Sequence, residues 1–501
     1  MKQLFRTIVS GAFLLMSITV FTSCEGALDD IFGHWEKPVN DPPLTLEAVN
    51  EGETMNVTFE STLSKPITFK YSLDAGLSWS TLYIEAGQPG YTDKSSGKHD
   101  KKPCRIILSG IKKILLMAEN ESYGEFSSVG LDNPKEDVDR FLNISVDADC
   151  YIYGNMMSLV GGDKYSKRTD LREDMTFFYL FAGNANLKSH PTKKLLLPAT
   201  TLTKKCYRQM FYGCTGLTVA PDLPATALTE RCYSYMFANC FALTAIPVLP
   251  ATTLAPYCYY EMFYGCKALT EVAELHATTA AEYSCYKMFE GCSSLTTAPS
   301  RLASTLADHC YHYMFAECTA LVNAPVLPAT TMAPYCYSAM FRGCPSLETA
   351  PALPATQLAD HCYESMFFNY MNVPYQLKNA PELPATTLAD NCYTYMFYGC
   401  NSLTTAPDLP AKVLENGCYV CMFNNCTSLT YVKCLATSIA SDATISPTYN
   451  WLGSVPTSSG TFVKDASVNY GSGEFWDTTT QLASTTKCAA QDVANWTWKN
   501  N

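Results

Sequence analysis

Residues 206–231 read CYRQMFYGCTGLTVAPDLPATALTER, and the same line returns along the chain every 26 residues. The dipeptide Met-Phe marks it at Met210, Met236, Met262, Met288, Met314, Met340 and Met366, then at Met396 after 30 residues and at Met422 after 26 more. A worn copy, Leu180-Phe181, begins the series. A repeat of this length is one supersecondary unit that cannot bury its own apolar residues, so copies must stack and share a core.

Each row of the repeat carries an expectation. Cys206, Met210 and Cys214 lie four apart with Tyr207 and Phe211 beside them, which predicts the buried stripe of a short helix. Glu230, Pro256, Glu282, Asp308, Pro334, Asp360, Asp390 and Asn416 mark its start, being mostly N-cap or first-turn types. Gly213, Asn239, Gly265, Gly291, Gly343, Asn369, Gly399 and Asn425 mark its end, as residues that tolerate a left-handed backbone; Glu317 breaks that row. Leu217, Leu243 and their counterparts follow, and the segment LTxAPxL predicts the strand of each rung. Its prolines, such as Pro221 and Pro325, cannot donate to a sheet ladder, so strands of three or four residues are expected. The expected fold is an α/β solenoid of roughly ten rungs, one short strand and one short helix in each.

The segment MFxGCxSLTxAPxLPAT resembles the BspA-like leucine-rich repeats of bacterial cell-surface proteins. The resemblance covers about residues 175–440 and implies a leucine-rich-repeat solenoid used in adhesion, in binding host proteins or in aggregation between cells. The period of 26 and the prolines in the strand depart from that family's pattern.

The flanks read differently. Lys2 and Arg6 precede an apolar stretch from Ile8 to Phe21 that is short for a membrane span, so residues 1–23 read as a signal peptide. Phe21-Thr22-Ser23-Cys24 resembles the lipobox of bacterial lipoproteins, which implies lipidation at Cys24, with 24–43 as a tether. Glu25, Asp29 and Asp30 resemble the surface-export tag of some gut Gram-negative anaerobes, so the expected location is the outer membrane, exposed at the cell surface. Residues 44–146 alternate as strands ("LTLEAV", "MNVTFES", "ITFKYS", "CRIILSG", "ILLMAEN") and predict a small all-β sandwich of immunoglobulin-like size. Within it Ser72, Asp74, Gly76 and Trp79 fit SxDxGxxW, the Asp box, a structural hairpin turn. Residues 147–179 are expected to cap the start of the solenoid, 180–440 to form it, and 441–501, with Trp451, Trp476, Trp496 and Trp498, to cap its end.

The composition narrows the function. Apolar residues make up 47% and charged residues 16%, which allows a large core, and a formal charge of -12 without a basic block repels nucleic acid. Of 23 Cys, 19 lie between Cys206 and Cys434, evenly spread. Two in one repeat sit eight apart, about 12 Å along a helix, beyond disulfide reach, so most are expected to be buried free thiols. Cys104 and Cys150 are the better candidates for one bridge. His309 and His361 share a row two rungs apart, too far for one metal, and His309 with His312 is a bare HxxH expected to face solvent. No catalytic or phosphate-binding motif stands out, and no cofactor or metal is expected.

A non-enzymatic, lipid-anchored binding or adhesion protein is therefore expected, contacting protein or glycan on host or bacterial surfaces. The candidate binding surface is Arg208, Tyr235, Tyr260, His312, Tyr395 and Tyr398 on the helix side, because these vary where Met, Phe and Leu do not. On the strand side the variable residues are Val219, Glu271, Asn323, Thr349, Asn379 and Tyr431. The alternative is a glycan-capturing or glycan-processing surface lipoprotein, supported by the Asp box and the terminal tryptophans.

Overall fold

The strand-like alternation at the start of the chain folds as a two-sheet sandwich. The computed structural model describes residues 41–87, 91–92, 99–100, 103–126, 140–370, 373–441, 443–456, 459–467 and 496–501. Its strands are β1 (Leu44–Ala48), β2 (Met55–Ser61), β3 (Ile67–Ser72), β4 (Ser80–Ile84), β5 (Tyr91–Thr92), β6 (His99–Asp100), β7 (Cys104–Ile111), β8 (Lys113–Met117), β9 (Gly124–Glu125), β10 (Arg140–Val146) and β11 (Cys150–Asn155). One sheet runs β11-β1-β8-β3-β4 and the other β7-β2-β10-β9, while β5 and β6 pair with each other. Every second residue of β2 (Met55, Val57, Phe59, Ser61) is buried, as a strand with one face on a core requires. The Asp box forms the β3–β4 turn: Asp74 accepts hydrogen bonds from Ser72 Oγ, Ser78 N and Ser78 Oγ, and Gly76 takes φ 95°.

The solenoid grows directly from this sandwich. β11 pairs antiparallel with β1 and, on its other side, parallel with β12 (Leu187–Ser189) and β13 (Leu195–Leu196) of the first rung. One hydrophobic core then runs from Leu44 to Trp496 without a break.

The expected helix of each rung is absent. Among the described residues the only α-helix is Ser158–Gly161, followed by a 3-10 turn, Gly162–Lys167, and neither belongs to the repeat. Where helices were expected the chain forms a ribbon of overlapping turns. In the rung of Met210, the N–H groups of Arg208, Met210, Tyr212 and Cys214 donate to the carbonyls three residues back. The alternate N–H groups, those of Lys205, Tyr207, Gln209, Phe211 and Gly213, donate to Glu230, Cys232, Ser234, Met236 and Ala238 of the next rung at 2.8–3.1 Å. An α-helix uses its N–H groups internally and could not tie rungs together in this way.

The turn chemistry explains the period. In the turn from Tyr207 to Met210 the third residue, Gln209, has φ 57°, and in the turn from Phe211 to Cys214 Gly213 has φ 70°, the sign a type II turn demands. Lys205 at φ 54° completes a left-handed residue every fourth position. Within the ribbon the pattern thus recurs every four residues, two in and two out: Cys206, Tyr207, Met210, Phe211 and Cys214 are all buried, while Arg208 and Gln209 turn outward. A left-handed non-glycine costs about 1–2 kcal/mol; lateral hydrogen bonds and buried rings offset it. The row read as a helix end is left-handed at Gly213, Asn239, Gly265, Gly291, Gly343, Gly399 and Asn425, and Glu317 adopts the same conformation at φ 59°.

Two columns of stacked rings fill the interior. Phe181 through Phe423 stack without interruption, with centroids 5.4–5.9 Å apart and planes within 11°. The tyrosine column begins in the sandwich core, from Phe59 through Phe69, Tyr123 and Phe177 to Tyr207. It lapses at Cys285, which stands in the Tyr row, and resumes at Tyr311. Trp451 closes it, stacked 5.9 Å from Tyr419.

The strand side is weaker than expected. Through the middle rungs it holds isolated parallel bridges, such as Glu271 to Thr297, Thr297 to Asn323 and Asn323 to Thr349, and no strands of three or four residues. Pairing lengthens only near the end, in β14 (Thr405–Leu409), β15 (Val413–Leu414), β16 (Tyr431–Cys434), β17 (Ser438–Ile439), β18 (Thr461–Lys464) and β19 (Thr497–Asn500). The order β14-β16-β18-β19 is parallel throughout. β16 reads Tyr-Val-Lys-Cys where other rungs have Ala-Pro, so its N–H groups are free to pair. β14 retains Pro407, and its pairing with β16 is irregular between Thr405 and Asp408.

Candidate binding surface

The outward pairs of the ribbon form a continuous side of the solenoid. Arg208, Tyr235, Tyr260, His312, Tyr395 and Tyr398 all fall on it, each half-buried. Tyr235 packs on Tyr260 at 5.3 Å, Tyr395 on Tyr398 at 5.8 Å, and the Arg208 guanidinium lies 5.6 Å from the Phe178 ring. The strand-side residues Val219, Glu271, Asn323, Thr349 and Asn379 are exposed, and Tyr431 is half-buried. Cys24 lies outside the described residues.

The most regular feature of the ribbon side was not anticipated. Tyr257, Tyr283, His309, Tyr335 and His361 occupy one left-handed position in five successive rungs, at φ 52–56°. Their rings stack face to face with centroids 4.9, 4.4, 4.4 and 4.3 Å apart and planes within 15°. A second, shorter stack lies beside it, Tyr260 on Tyr286 at 4.8 Å, with His312 edge-on to Tyr286. Sequence reasoning missed the column because Tyr and His are not left-handed residue types. The signal was present in the row itself, aromatic or imidazole at five consecutive copies.

The histidines do not stand free in solvent as expected. His309 lies between Tyr283 and Tyr335, and His312 stacks on Tyr313 at 4.4 Å. The Nδ1 of each is buried without a hydrogen-bond partner among the described residues. A proton there would be unsatisfied, so the bare nitrogen points inward and the N–H outward. Metal-binding histidines need the reverse, an inner N–H held by an acceptor. Burial pushes the His312 imidazole down to about 3. Elsewhere on the ribbon side Glu261 is raised to about 7 by burial, and Lys287 Nζ lies 2.9 Å from Glu290.

The cysteines have a hydrogen-bonding task. Every described cysteine is free, Cys104 and Cys150 included, so the expected bridge between those two does not form. In the second row each thiol donates to the phenylalanine carbonyl of the preceding rung: Cys240 to Phe211, Cys266 to Phe237, Cys292 to Phe263, Cys318 to Phe289, all at 3.2 Å. Where Tyr370 interrupts the row, Tyr375 turns inward, fully buried, and its hydroxyl donates to Phe341 O at 3.1 Å. The position asks for a small buried donor, and desolvation there pushes thiols up, to about 12 for Cys292. These are not reactive thiolates.

The tryptophans of the last rungs belong to the core. Trp451 and Trp496 are buried, Trp496 Nε1 donates to Pro456 O, and Trp498 packs on Phe462. Trp476 lies outside the described residues.

The BspA-type leucine-rich repeat region, in six copies, matches residues 188–322 and 230–366, a span that contains the whole stacked column. No curated protein matches the chain.

Proposed function

Because residues 188–366 match the BspA-type leucine-rich repeat region, we propose that the protein is a non-enzymatic binding protein of the bacterial cell surface, held to the outer membrane by lipid on Cys24. The observation that carries the reading is the ribbon side: rings fixed by their neighbours, half-exposed, and continuous over several rungs. Tyrosine offers broad amphipathic contact at low entropic cost, and stacking has already removed its rotamer freedom. Such a side reads an extended ligand across several rungs and not through one pocket. Trp451 and Trp496 are buried in the core and lend no support to glycan capture.

Deleting residues 257–308 tests this. The cut removes two whole repeats, sets His309 where Tyr257 stood, and preserves the stacking register. Binding of the shortened, folded chain to immobilised mucosal glycoprotein or bacterial envelope should fall far below that of the intact chain. Unchanged binding would place recognition elsewhere and defeat the reading.

A further inference from the structure

The ribbon side already holds this chain's own cations against its rings. Arg231 sits 4.5 Å from the Tyr257 centroid at one end of the outer column. Further along, the Arg342 guanidinium lies 4.8–5.8 Å from Tyr313, Phe368 and Tyr370. Contacts of this kind attract a cation through the negative face of the ring. Between those points the column of Tyr283, His309, Tyr335 and His361 receives no cation among the described residues, yet it is bordered by carboxylates. Glu282, Asp308 and Asp360 each stand one residue before a column member and are exposed. None of the three takes part in a salt bridge among the described residues, although Asp360 accepts the N–H of Asp390. The phenols and carboxylates are close enough to act on one another: Glu282 and Asp308 both bear on Tyr283, and Asp360 on Tyr335.

Within the column the ring faces cover each other. A partner therefore meets phenol and imidazole edges and, beside them, carboxylate oxygens that give the array its negative charge. Five rungs at about 4.8 Å span roughly 19 Å, the length of about six extended residues. We propose that this column and its acidic border recognise an extended cationic polypeptide segment, rich in arginine and lysine, lying along the rod. Guanidinium suits it best, because its planar fork pairs bidentately with carboxylates while its remaining N–H groups reach phenol oxygens at the ring edges. The match is one of charge: the chain is formally -12, and Lys287 and Arg342, cations of the ribbon side in the rungs of Tyr283 and Tyr335, are engaged, Lys287 with Glu290 and Arg342 among rings. The proposal rests on the binding reading above and adds the partner's chemistry.

The test uses the full chain and a labelled (Arg-Ser)5 decapeptide, with (Glu-Ser)5 as the opposite-charge control, followed by fluorescence anisotropy. The triple variant Glu282→Gln, Asp308→Asn, Asp360→Asn should weaken binding of the arginine peptide by about tenfold. A matched triple on the strand side, Asp222→Asn, Glu348→Gln, Glu382→Gln, removes the same charge and should change it by less than about twofold. Equal losses in the two triples mean that bulk charge draws the peptide, which overturns the proposal, as does absence of arginine-peptide binding. If the arginine peptide fails while a neutral soluble glucan binds and is lost on deleting 257–308, the cationic partner is wrong and the binding reading survives.

Discussion

Between the rungs of Met288 and Met314 the ribbon side is joined by five hydrogen bonds, from Tyr283, Cys285, Lys287, Phe289 and Gly291 to Asp308, Cys310, His312, Met314 and Ala316. The strand side of the same junction holds two isolated bridges, Thr297 to Asn323 and Arg301 to Val326. One side spends conformational strain, a left-handed residue every fourth position, and in return ties every junction densely. The other carries proline, which removes donors, and leaves its residues exposed. Cohesion and the candidate binding side thus coincide, contrary to the common division in which a rigid sheet supports variable loops.

That contrast can be broken by substitution. Phe315 lies in the unbroken column between Phe289 and Phe341, at 5.6 and 5.9 Å. Phe315→Ala should cost about 3–5 kcal/mol, whereas Asn323→Ala, exposed on the strand side of the same rung, should stay within about 0.5 kcal/mol. Denaturant midpoints compare the two, and similar small shifts would mean that the ribbon does not dominate cohesion.

A smaller effect comes from Glu261, whose carboxyl is raised to about 7, first by burial and then by Glu290, against the pull of Lys287. A carboxyl raised on folding stabilises the fold below its unfolded pKa, near 4.3, and that contribution is lost as pH climbs through about 7. Glu261→Gln should therefore flatten the stability profile between pH 5 and 8 and raise stability at the alkaline end by about 1–3 kcal/mol. Melting curves across that window would show it, and a variant that keeps the wild-type slope would contradict it.

The smallest change tests the donor row. Tyr375→Phe keeps the ring and leaves Phe341 O without its hydroxyl, so it should cost about 1–2 kcal/mol. Thermal unfolding with no shift would show that the carbonyl needs no donor and that the cysteine row has another origin.

Much of this was legible. The 26-residue spacing identified the stacked rungs, and "MNVTFES" and "ITFKYS" became β2 and β3. Met314, Phe315 and Cys318 were read as core and are fully buried. The helix was misread for a definable reason: buried pairs at Cys206–Tyr207 and Met210–Phe211 fit a period near 3.6 over so short a span, but continuing to Cys214 they repeat at 4.0. The deciding residues, Lys205 and Gln209, carry left-handed backbone that their side chains do not announce. The six predicted surface residues lie on one side because two-in, two-out patterning and helical patterning agree over eight residues. The Tyr257 column escaped because only the row just before it, from Glu230 through Asp360, was read, as a helix start, where ring stacking between copies has no place.

The lateral bonds also say how this chain can change length. Through most junctions the donor and acceptor are 25 residues apart, as from Lys205 to Glu230; from His361 to Asp390 they are 29, and from Tyr419 to Pro447 they are 28. Within each junction the offset stays constant, because the extra residues are inserted beyond the ribbon. A residue gained inside the ribbon would misalign the donors that follow it, whereas one gained between ribbons misaligns none. Genetic duplication or loss of a complete repeat is neutral to every bond but those at the seam. The array is thus free to lengthen, shorten and reshuffle its outer face over evolutionary time, with the sandwich at one end and Trp451 at the other as its fixed bounds.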